Sequence, residues 1–435
     1  MMINNREILK KLFCSAVAAV DPYNSVIKRG QSLLQEYIKG GFKRVFVLAF
    51  GKASCPMTKA IEEVFGERVT AGVIITKYGH SEGYSFSERF RLYEAGHPVP
   101  DQKGLEATRD ALEMLTDLTE DDLVIVLISG GGSALFISPV EGITLEDKME
   151  TTDILLRAGA DIFELNTVRK RLSRVKGGKL AQLLYPARVK SFILSDVLGD
   201  RLDIIASGPT VKDPTTFEEA VHVLKKYNLL DRVPENVRQY LLSGSKKELQ
   251  EFRPGSEEVF RRVENVIIGS NRIALKAALN AAEGLGLSSE IIDSNIQGEA
   301  RVIGTRLAEL ALRKKEGASN RPLCLISGGE TTVTVKGTGK GGRNTELALS
   351  FALQIQGHDG ITLLSAGTDG TDGPTDAAGA IVDGKTIERG LSRGLDPLEY
   401  LENNDSYSFL EKTGDLFITG PTGTNVMDIQ IIIIS

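Results

Sequence analysis

The stretch "LVIVLISGGGS", residues 123–133, joins an uninterrupted apolar run to a turn of three glycines. A short apolar run bounded by turn residues is typical of a strand buried on both faces. The same half of the chain repeats this pattern, with helical periodicity between the runs. Its other apolar runs are "RVFVLAF" (44–50), "AGVIITK" (71–77) and "SFILSD" (191–196). Strands that alternate with helices predict a parallel sheet covered by helices, so the fold class is α/β.

The second half continues the alternation. Its runs are "NVIIGS" (265–270), "SEIIDS" (289–294), "PLCLIS" (322–327), "ITLLSAG" (361–367), "DLFITG" (415–420) and the final "IQIIIIS" (429–435). A chain of 435 residues is too long for one ordinary core. Turn residues cluster in "ASGPTVKDPTT" (206–216), which predicts a domain boundary near residue 213. We therefore expect two α/β domains, residues 1–213 and 214–435, both with mainly parallel sheets.

Composition limits the classes of partner. A net charge of -6 argues against nucleic acid as the main partner, and no apolar run approaches the length of a membrane span. The three cysteines Cys14, Cys55 and Cys324 lie far apart, which favours reduced thiols in a cytoplasmic protein. At the N-terminus, "KKLFCSAVAAVDP" (10–22) has some features of a secretion signal. Its apolar residues fall at helical spacing instead, which favours an amphipathic helix.

Polar, glycine-rich turns follow most of the predicted strands. Examples are "GKAS" (51–54), "GGGS" (130–133), "GGET" (328–331) and "GTDG" (367–370). In open parallel sheets ligands bind beyond the carboxyl ends of the strands, and glycine lets backbone N–H groups approach an anion closely. One such turn alone has a simpler explanation, since any strand-to-helix connection uses glycine. Several together favour a phosphate-rich small ligand.

Two known phosphate fingerprints fail at the first strand. "FVLAFGKAS" (46–54) lacks the first glycine and the final Ser/Thr of a P-loop. "GKASCP" (51–56) has a single glycine, and the second strand ends at Lys77 without an acidic ribose ligand, so the dinucleotide pattern is missing too. "GTGKGG" (337–342) matches G-x-G-x-x-G literally but follows a half-polar run. We interpret it as an anion-binding nest beside Lys340 and Arg343.

Charged residues at strand ends or helix starts are candidates for chemistry. Lys52 and Arg343 suit a phosphoryl group or carboxylate, although a solvated lysine and a helix-surface arginine are the simpler alternatives. Asp196 and Asp369 directly follow strands, where each can orient a hydroxyl, hold magnesium or only cap a turn.

Two further stretches carry charge. The run "NTVRKRLSRVKGGK" (166–179) has many basic residues and no acid, so it is either a solvated basic helix or a segment that attracts phosphates. In the loop 367–380, Asp372 and Asp376 are expected to shape the loop by capping turns.

The motifs together resemble one known family, the class II glycerate kinases, whose C-terminal part, here about residues 320–430, is called the MOFRL domain. The resemblance covers nearly the whole chain. It rests on "GKAS" (51–54), "LISGGGSAL" (127–135), "ELNTVRKRLSRVKGGKLA" (164–181), "LSDVLGD" (194–200), "IASGPT" (205–210), "GGRNTELAL" (341–349), "GTDGTDGPTDAAGA" (367–380) and "TGPTGTNVMD" (419–428).

The resemblance implies transfer of the γ-phosphoryl group of ATP to D-glycerate, most often at the 2-hydroxyl, in a cleft between two α/β domains of which the N-terminal one is Rossmann-like. ATP and Mg²⁺ are the implied cofactors, with Asp369 as a magnesium ligand beside the nucleotide phosphates. The implied catalytic residues are Lys52, Asp196, Arg343 and Asp369. Candidates for substrate or nucleotide binding are Gly51, Ser129, Gly130, Gly131, Gly132, Ser133, Asn166, Arg171, Gly341, Gly342, Asn344, Thr424 and Asn425.

Several alternatives stay open at this level. The same fold could phosphorylate the 3-hydroxyl, or the protein could be an NAD(P)H-dependent hydroxypyruvate reductase or a non-catalytic sensor of carboxylates or nucleotides. The expected partners are D-glycerate and ATP, with no nucleic acid and no membrane, and a homodimer is compatible with the sequence. The sequence does not determine the phosphoryl donor or which aspartate acts on the hydroxyl.

Overall fold

The computed structural model describes residues 4–246, 256–316 and 322–435. The strands are β1 Arg44–Phe50, β2 Val69–Lys77, β3 Phe90–Ala95, β4 Asp122–Ile128, β5 Arg188–Leu194, β6 Val263–Gly269, β7 Ser288–Glu299, β8 Leu323–Thr332, β9 Ile361–Gly367, β10 Gly379–Asp383, β11 Leu416–Phe417 and β12 Asp428–Ile434.

The helices are α1 Asn5–Ala19, α2 Pro22–Gly40, α3 Ser54–Phe65, α4 Gln102–Met114, α5 Gly132–Leu135, α6 Leu145–Arg157, α7 Ile162–Arg171, α8 Lys179–Leu184, α9 Phe217–Lys226, α10 Glu235–Ser245, α11 Ser256–Arg261, α12 Asn271–Gly284, α13 Ala300–Glu316, α14 Arg343–Gln354, α15 Thr386–Leu391, α16 Pro397–Glu402 and α17 Ser406–Thr413.

The chain divides into two compact units, each with its own six-stranded sheet. The first unit comprises Pro22–Ser195 and Asp200–Ile268. The second comprises the residues up to Asp21, the short piece Asp196–Gly199 and Gly269–Ser435. The predicted boundary near residue 213 differs from this division because β6 joins the sheet of the first unit. Helix α1 packs on α12, β9 and β12 of the second unit.

The first sheet has the strand order β3-β2-β1-β4-β5-β6. Strands β1 to β5 pair in parallel, and β4 is buried along its whole length. This is the doubly wound order of dinucleotide-binding folds, so the first unit is Rossmann-like. The order reverses between β1 and β4, and in such sheets the crevice at that switch point is the usual ligand site.

The second sheet has the order β11-β10-β9-β12-β8-β7. Only β7 and β8 pair in parallel, while the C-terminal strand β12 lies between β8 and β9 and is antiparallel to both. The α/β class is confirmed, but mainly parallel pairing is wrong for this sheet. An apolar run such as "IQIIIIS" (429–435) encodes burial and not direction, so the sequence could not reveal that β12 inserts between two strands joined by α14.

The predicted strands are present in the structure, but two strands of the structure were not predicted. β3 and β10 have no long apolar run and were not predicted. The run at 415–420 forms only the two-residue strand β11. The amphipathic N-terminal helix is α1, whose buried residues include Leu9, Leu12 and Phe13. Among the described residues no helix is both long and apolar enough to cross a membrane.

Candidate active site

The turn after β1 is tied to the turn after β4 at the switch point of the first sheet. The backbone N–H of Lys52 donates to the carbonyl of Gly130 at 2.9 Å, and the N–H of Ala53 donates to Oγ of Ser129 at 3.0 Å. The two predicted ligand-binding turns therefore form one structure. The partly exposed Lys52 stands at the position where α/β sheets bind ligands.

Two glycines in these turns cannot be replaced without strain. Gly51 has φ +124°, and a Cβ there would lie 2.2 Å from Oγ of Ser129. Gly131 has φ +84°, and a Cβ there would lie 2.9 Å from the ring of His97. Positive φ and close approach both favour glycine. These glycines therefore allow the two turns to approach each other closely, and they place backbone atoms near the side chain of Lys52.

His97 belongs to this part of the first unit, although the sequence did not single it out. Burial, together with the positive charges of Lys52 and Lys77 and the neighbouring His80, lowers the pKa of His97 to about 4. A neutral imidazole beside two lysines marks a region of positive potential. His97 follows β3, and since that strand lacks a hydrophobic signal the histidine could not be placed from sequence.

Ser133 begins a short chain of hydrogen bonds. Its hydroxyl lies 2.8 Å from Oγ of Ser207, which in turn donates to Oδ1 of Asn166 at 3.1 Å. Asn166 is buried, and so is Ser207. These contacts bring Ser133 and Asn166 together, while their role in ligand binding stays a prediction.

The basic run 166–179 is not a solvated helix. Arg171 is only 1% exposed, forms a buried ion pair with Asp213 and donates to the carbonyl of Thr215 at 3.0 Å. Lys170 also reaches Asp213, at 3.2 Å. Such contacts give Arg171 a structural role that the sequence missed, and its role toward a ligand stays a prediction.

Two lysines, Lys179 and Lys148, donate to carbonyls at the C-terminal end of α7, and a third donates to a carbonyl elsewhere. Lys179 Nζ donates to the carbonyls of Lys170 at 2.9 Å and Ser173 at 2.8 Å. Lys148 Nζ donates to the carbonyl of Leu172 at 3.4 Å. The third, Lys176, donates to the carbonyl of Phe136 at 3.3 Å. N–H donors at a helix C-terminus satisfy carbonyls that have no partner within the helix, so Lys179 of this basic run stabilises the end of α7.

In the second unit, Asp369 follows β9 in a partly exposed turn. Its Oδ1 accepts from the N–H of Thr371 at 3.0 Å and from that residue's hydroxyl at 3.1 Å, while Nδ2 of Asn425 lies 3.5 Å from Oδ2. Asp369 and Asn425 are therefore neighbours, and their roles toward a ligand stay predictions. Thr424 is different, because it is buried and its hydroxyl donates to the carbonyl of Val20 at 2.9 Å.

Arg343, the first residue of α14, is held between two carboxylates. Its Nε and Nη2 donate to the two oxygens of Asp428 at 2.6 and 2.9 Å, and its Nη1 donates to Glu330 at 2.6 Å. Burial opposes the charge, but the two carboxylates raise the pKa of the Arg343 guanidinium above its usual value. Because β12 is antiparallel, its first residue, Asp428, lies beside Gly329 of β8 and Gly367 of β9.

Neither carboxylate was singled out from the sequence. The available signal for Asp428 was an acid that opens a mostly apolar, buried strand, a position that needs a cationic partner. Glu330 lies in "GGET" (328–331), which the sequence predicted as a turn but which forms the end of β8, and only the structure shows that it reaches Arg343.

The N-terminus of α14 is capped from the loop 367–380. The carboxylate of Asp372 accepts from the N–H groups of Asn344 at 2.9 Å and Thr345 at 2.8 Å. Asp376 accepts from the hydroxyl of Tyr407 at 2.7 Å. Both carboxylates therefore bind groups outside the loop, whereas the sequence predicted that they cap turns within it. Asn344 is buried, and its Oδ1 accepts from Ser365.

The segment "GTGKGG" (337–342) packs against residues 403–406. The N–H of Gly339 donates to the carbonyl of Asn403 at 3.0 Å, and the N–H of Lys340 donates to Asp405 at 2.9 Å. These donors are used within the chain, so they do not form the open anion nest that the pattern suggested. A Cβ on Gly341 would lie 2.5 Å from Ser406, and one on Gly342 would lie 2.4 Å from Asp372, so both glycines are needed for packing. Their role in ligand binding, and that of Asn344, stays a prediction.

The four predicted catalytic residues divide between the units. Lys52 lies in the first, and Asp196, Arg343 and Asp369 lie in the second. Asp196 follows β5 and is partly exposed. Within the described ranges no three His, Cys, Asp or Glu side chains are grouped so that they could hold a metal ion. Asp369 is partly exposed, and its predicted role as a magnesium ligand stays a prediction.

Comparison with known proteins agrees with this geometry. A family model described as a domain of unknown function (DUF4147) matches residues 8–242, and one described as the MOFRL family matches residues 323–428. A D-glycerate 2-kinase from Thermotoga maritima is 46% identical over 98% of this chain and 98% of its own. The chain belongs to the class II glycerate kinases. A glycerate 2-kinase from Pyrococcus horikoshii is 44% identical over 99% of this chain and 97% of its own.

A solved structure supports the same membership. The crystal structure of a glycerate kinase from Thermotoga maritima matches with a TM-score of 0.89 and 45% identity over 99% of each chain. Two relatives from Agrobacterium vitis have another name. A putative hydroxypyruvate reductase from Agrobacterium vitis is 40% identical over 99% of this chain and 95% of its own.

Proposed function

We propose that the protein is a glycerate 2-kinase, which transfers the γ-phosphoryl group of ATP to the 2-hydroxyl of D-glycerate. The observation that supports this proposal is sequence identity of 44% and 46%, over nearly the whole chain, to two proteins named glycerate 2-kinases. The strand-end positions of Lys52 and Asp369 and the helix-start position of Arg343 agree with such chemistry, because phosphoryl transfer depends mainly on positioning and charge neutralisation.

In the first unit, Lys52 supplies a point charge for the transferring phosphoryl group. Its backbone is held by Gly130, so the side chain starts from a fixed Cα. The turn around Gly131 offers close backbone approach to phosphate oxygens. Charge that develops on the phosphoryl oxygens is stabilised best by donors fixed in advance.

In the second unit, Arg343 binds an anionic group of a ligand, and Asp369 or Asp196 orients the attacking hydroxyl. A planar guanidinium suits a carboxylate or phosphate. Asp369 is positioned by Thr371 and Asn425 and keeps part of its carboxylate exposed. Removing the aspartate that acts on the hydroxyl would abolish turnover at any magnesium concentration. Removing the metal ligand would raise the magnesium concentration needed for half-maximal activity, which assigns the two roles.

Magnesium enters as the partner of ATP. When bound, it would neutralise part of the phosphate charge, with Asp369 as the protein ligand. We also place the protein in the cytoplasm, where its free thiols Cys55 and Cys324 would stay reduced. Its partners would then be D-glycerate and ATP.

The experiment that tests the proposal combines the purified protein with ATP, Mg²⁺ and D-glycerate and identifies the product by phosphorus NMR. We expect 2-phosphoglycerate and ADP. Formation of 3-phosphoglycerate would support a kinase that phosphorylates the 3-hydroxyl instead of the 2-hydroxyl. Absence of any phosphoglycerate would reject the kinase.

A reductase is the second candidate, favoured by the Rossmann strand order and by the names of two relatives. The turn after β1 lacks the dinucleotide glycines, and β2 ends at Lys77 where an acidic ribose ligand would stand. Consumption of NADH with hydroxypyruvate in the absence of ATP would favour the reductase.

A further inference from the structure

The two carboxylates on Arg343 differ in exposure. The side chain of Asp428 is 1% exposed and holds the Nε and Nη2 edge of the guanidinium. The side chain of Glu330 is 45% exposed and meets Nη1 at 2.6 Å. Asp428 is thus a buried anchor, and Glu330 is a carboxylate at the solvent side of the same guanidinium.

Three of the five N–H donors of the Arg343 guanidinium are therefore used by carboxylates of its own chain. An incoming carboxylate or phosphate binds a guanidinium most strongly through two parallel N–H bonds. Such bidentate binding needs the Nη nitrogens, because Asp428 occupies the Nε edge. Glu330 already binds one of these nitrogens.

We propose that Glu330 is an affinity-determining residue that competes with the anionic group of a ligand for Arg343. The inference rests on the proposed function for the identity of the ligand. A carboxylate of D-glycerate or a phosphate of ATP would displace Glu330, while Asp428 would keep the guanidinium in place.

The physical reason is the unequal cost of breaking the two pairs. An exposed ion pair contributes little to stability, so Glu330 can swing into solvent at small cost. Removing Asp428 would leave a buried edge of Arg343 without its partner, which is costly. Glu330 also repels an anion that approaches Arg343, and Asp372 adds a further negative charge near the guanidinium. Removal of the Glu330 charge should therefore tighten binding.

The test compares Glu330→Gln with the unchanged protein by calorimetric titration of D-glycerate and, separately, of ATP with Mg²⁺. We expect the Kd of one ligand to fall about two- to fivefold, the range that an exposed ion pair is worth. A change confined to D-glycerate identifies its carboxylate as the competitor, and a change confined to ATP identifies a phosphate. The decrease in Kd caused by Glu330→Gln should be smaller at high salt, because exposed charges are screened.

Two further variants make the result specific. Asp428→Asn should act in the opposite direction and weaken binding, because Arg343 loses its anchor. Glu309→Gln is the matched control, since this exposed glutamate pairs with Arg313 at 4.0 Å on a surface helix. It should leave both Kd values unchanged.

Unchanged or weaker binding of both ligands by Glu330→Gln, in a protein with the circular dichroism of the parent, would overturn the inference. Titration does not require turnover, so this result is separate from the kinase assay. A wild-type protein that makes phosphoglycerate but shows no gain in Glu330→Gln would retain the proposed function and lose only the role of Glu330.

Discussion

At the residue scale, three of the residues proposed for chemistry are each held by a hydrogen bond to a neighbouring group and remain partly exposed. Asp428 holds Arg343 in this way, and Thr371 holds Asp369. In Lys52 the backbone itself is fixed, by Gly130. Groups positioned before the ligand arrives need little reorganisation during reaction, which is how fixed charges lower a barrier.

Lys52→Ala should reduce kcat by about 100-fold or more, the scale seen when one fixed donor to developing charge is lost. The KM for ATP should change much less, because several other groups are predicted to bind the nucleotide. Steady-state kinetics with D-glycerate measures both values. Lys59→Ala, a partly exposed lysine on α3 that pairs with Glu62, is the control. Turnover that survives intact in Lys52→Ala would remove this lysine from the chemistry.

At the element scale, α14 depends on a cap from a distant loop. Asp372 is 1% exposed and accepts two backbone N–H groups from the first turn of the helix. Arg343 is the first residue of that turn. The loop 367–380 therefore contains Asp369 and also caps the N-terminus of the helix that carries Arg343.

Asp372→Ala should lower the free energy of unfolding by about 1 to 3 kcal/mol, the range for losing a helix cap and leaving buried donors unpaired. Urea denaturation measures the loss, and hydrogen exchange at Asn344 and Thr345 should report it locally. Asp376→Ala, which removes an exposed carboxylate of the same loop, is the control and should have a smaller effect. Equal losses in the two variants would contradict the capping role.

The lysines around the end of α7 make stability depend on pH. Burial is the main cause that lowers the pKa of Lys179 to about 7, from an ordinary 10.5. Between these two values the unfolded chain binds more protons than the folded protein, so stability rises as pH increases. One such group contributes a slope of up to ~1.4 kcal/mol per pH unit.

Lys179→Met should therefore flatten the rise of unfolding free energy between pH 7 and pH 10, in addition to any constant loss from the missing hydrogen bonds. Urea denaturation at several pH values separates the slope from the constant term. Lys103→Met, at an exposed site on α4, should keep the slope. A parallel pair of curves for Lys179→Met and the parent would show that this amine keeps its proton in the folded protein.

At the scale of the whole molecule, the sequence predicted the α/β class and the ends of the strands where chemistry is expected, because burial and glycine-rich turns are local signals. It could not predict that β12 runs antiparallel between β8 and β9, since pairing direction depends on contacts far apart in the chain. For the same reason Asp428 and His97 escaped notice. Their importance arises only when the fold brings Arg343 or Lys52 beside them.

The N-terminal helix gives the last prediction, because it belongs to the unit that contains the C-terminal strand. Leu9 and Leu12 are fully buried in α1, and the ring of Phe13 meets that of Phe417 at 5.2 Å between centroids. Arg6 forms ion pairs with Asp383 and the buried Asp415. Deletion of residues 4–20 would expose the apolar surface on which α1 packs.

Hydrogen exchange should then rise in β9, β12 and α12, which contact α1, while β1 and β4 of the first unit keep their protection. Arg6→Ala is a milder variant and should raise exchange in the same elements to a smaller extent, because it removes the ion pairs and leaves the apolar contacts. Lys10→Ala, an exposed residue of the same helix, should leave exchange unchanged. If the deletion increased exchange equally in β4 and β12, the two units would unfold as one, and α1 would stabilise the whole protein and not the second unit alone.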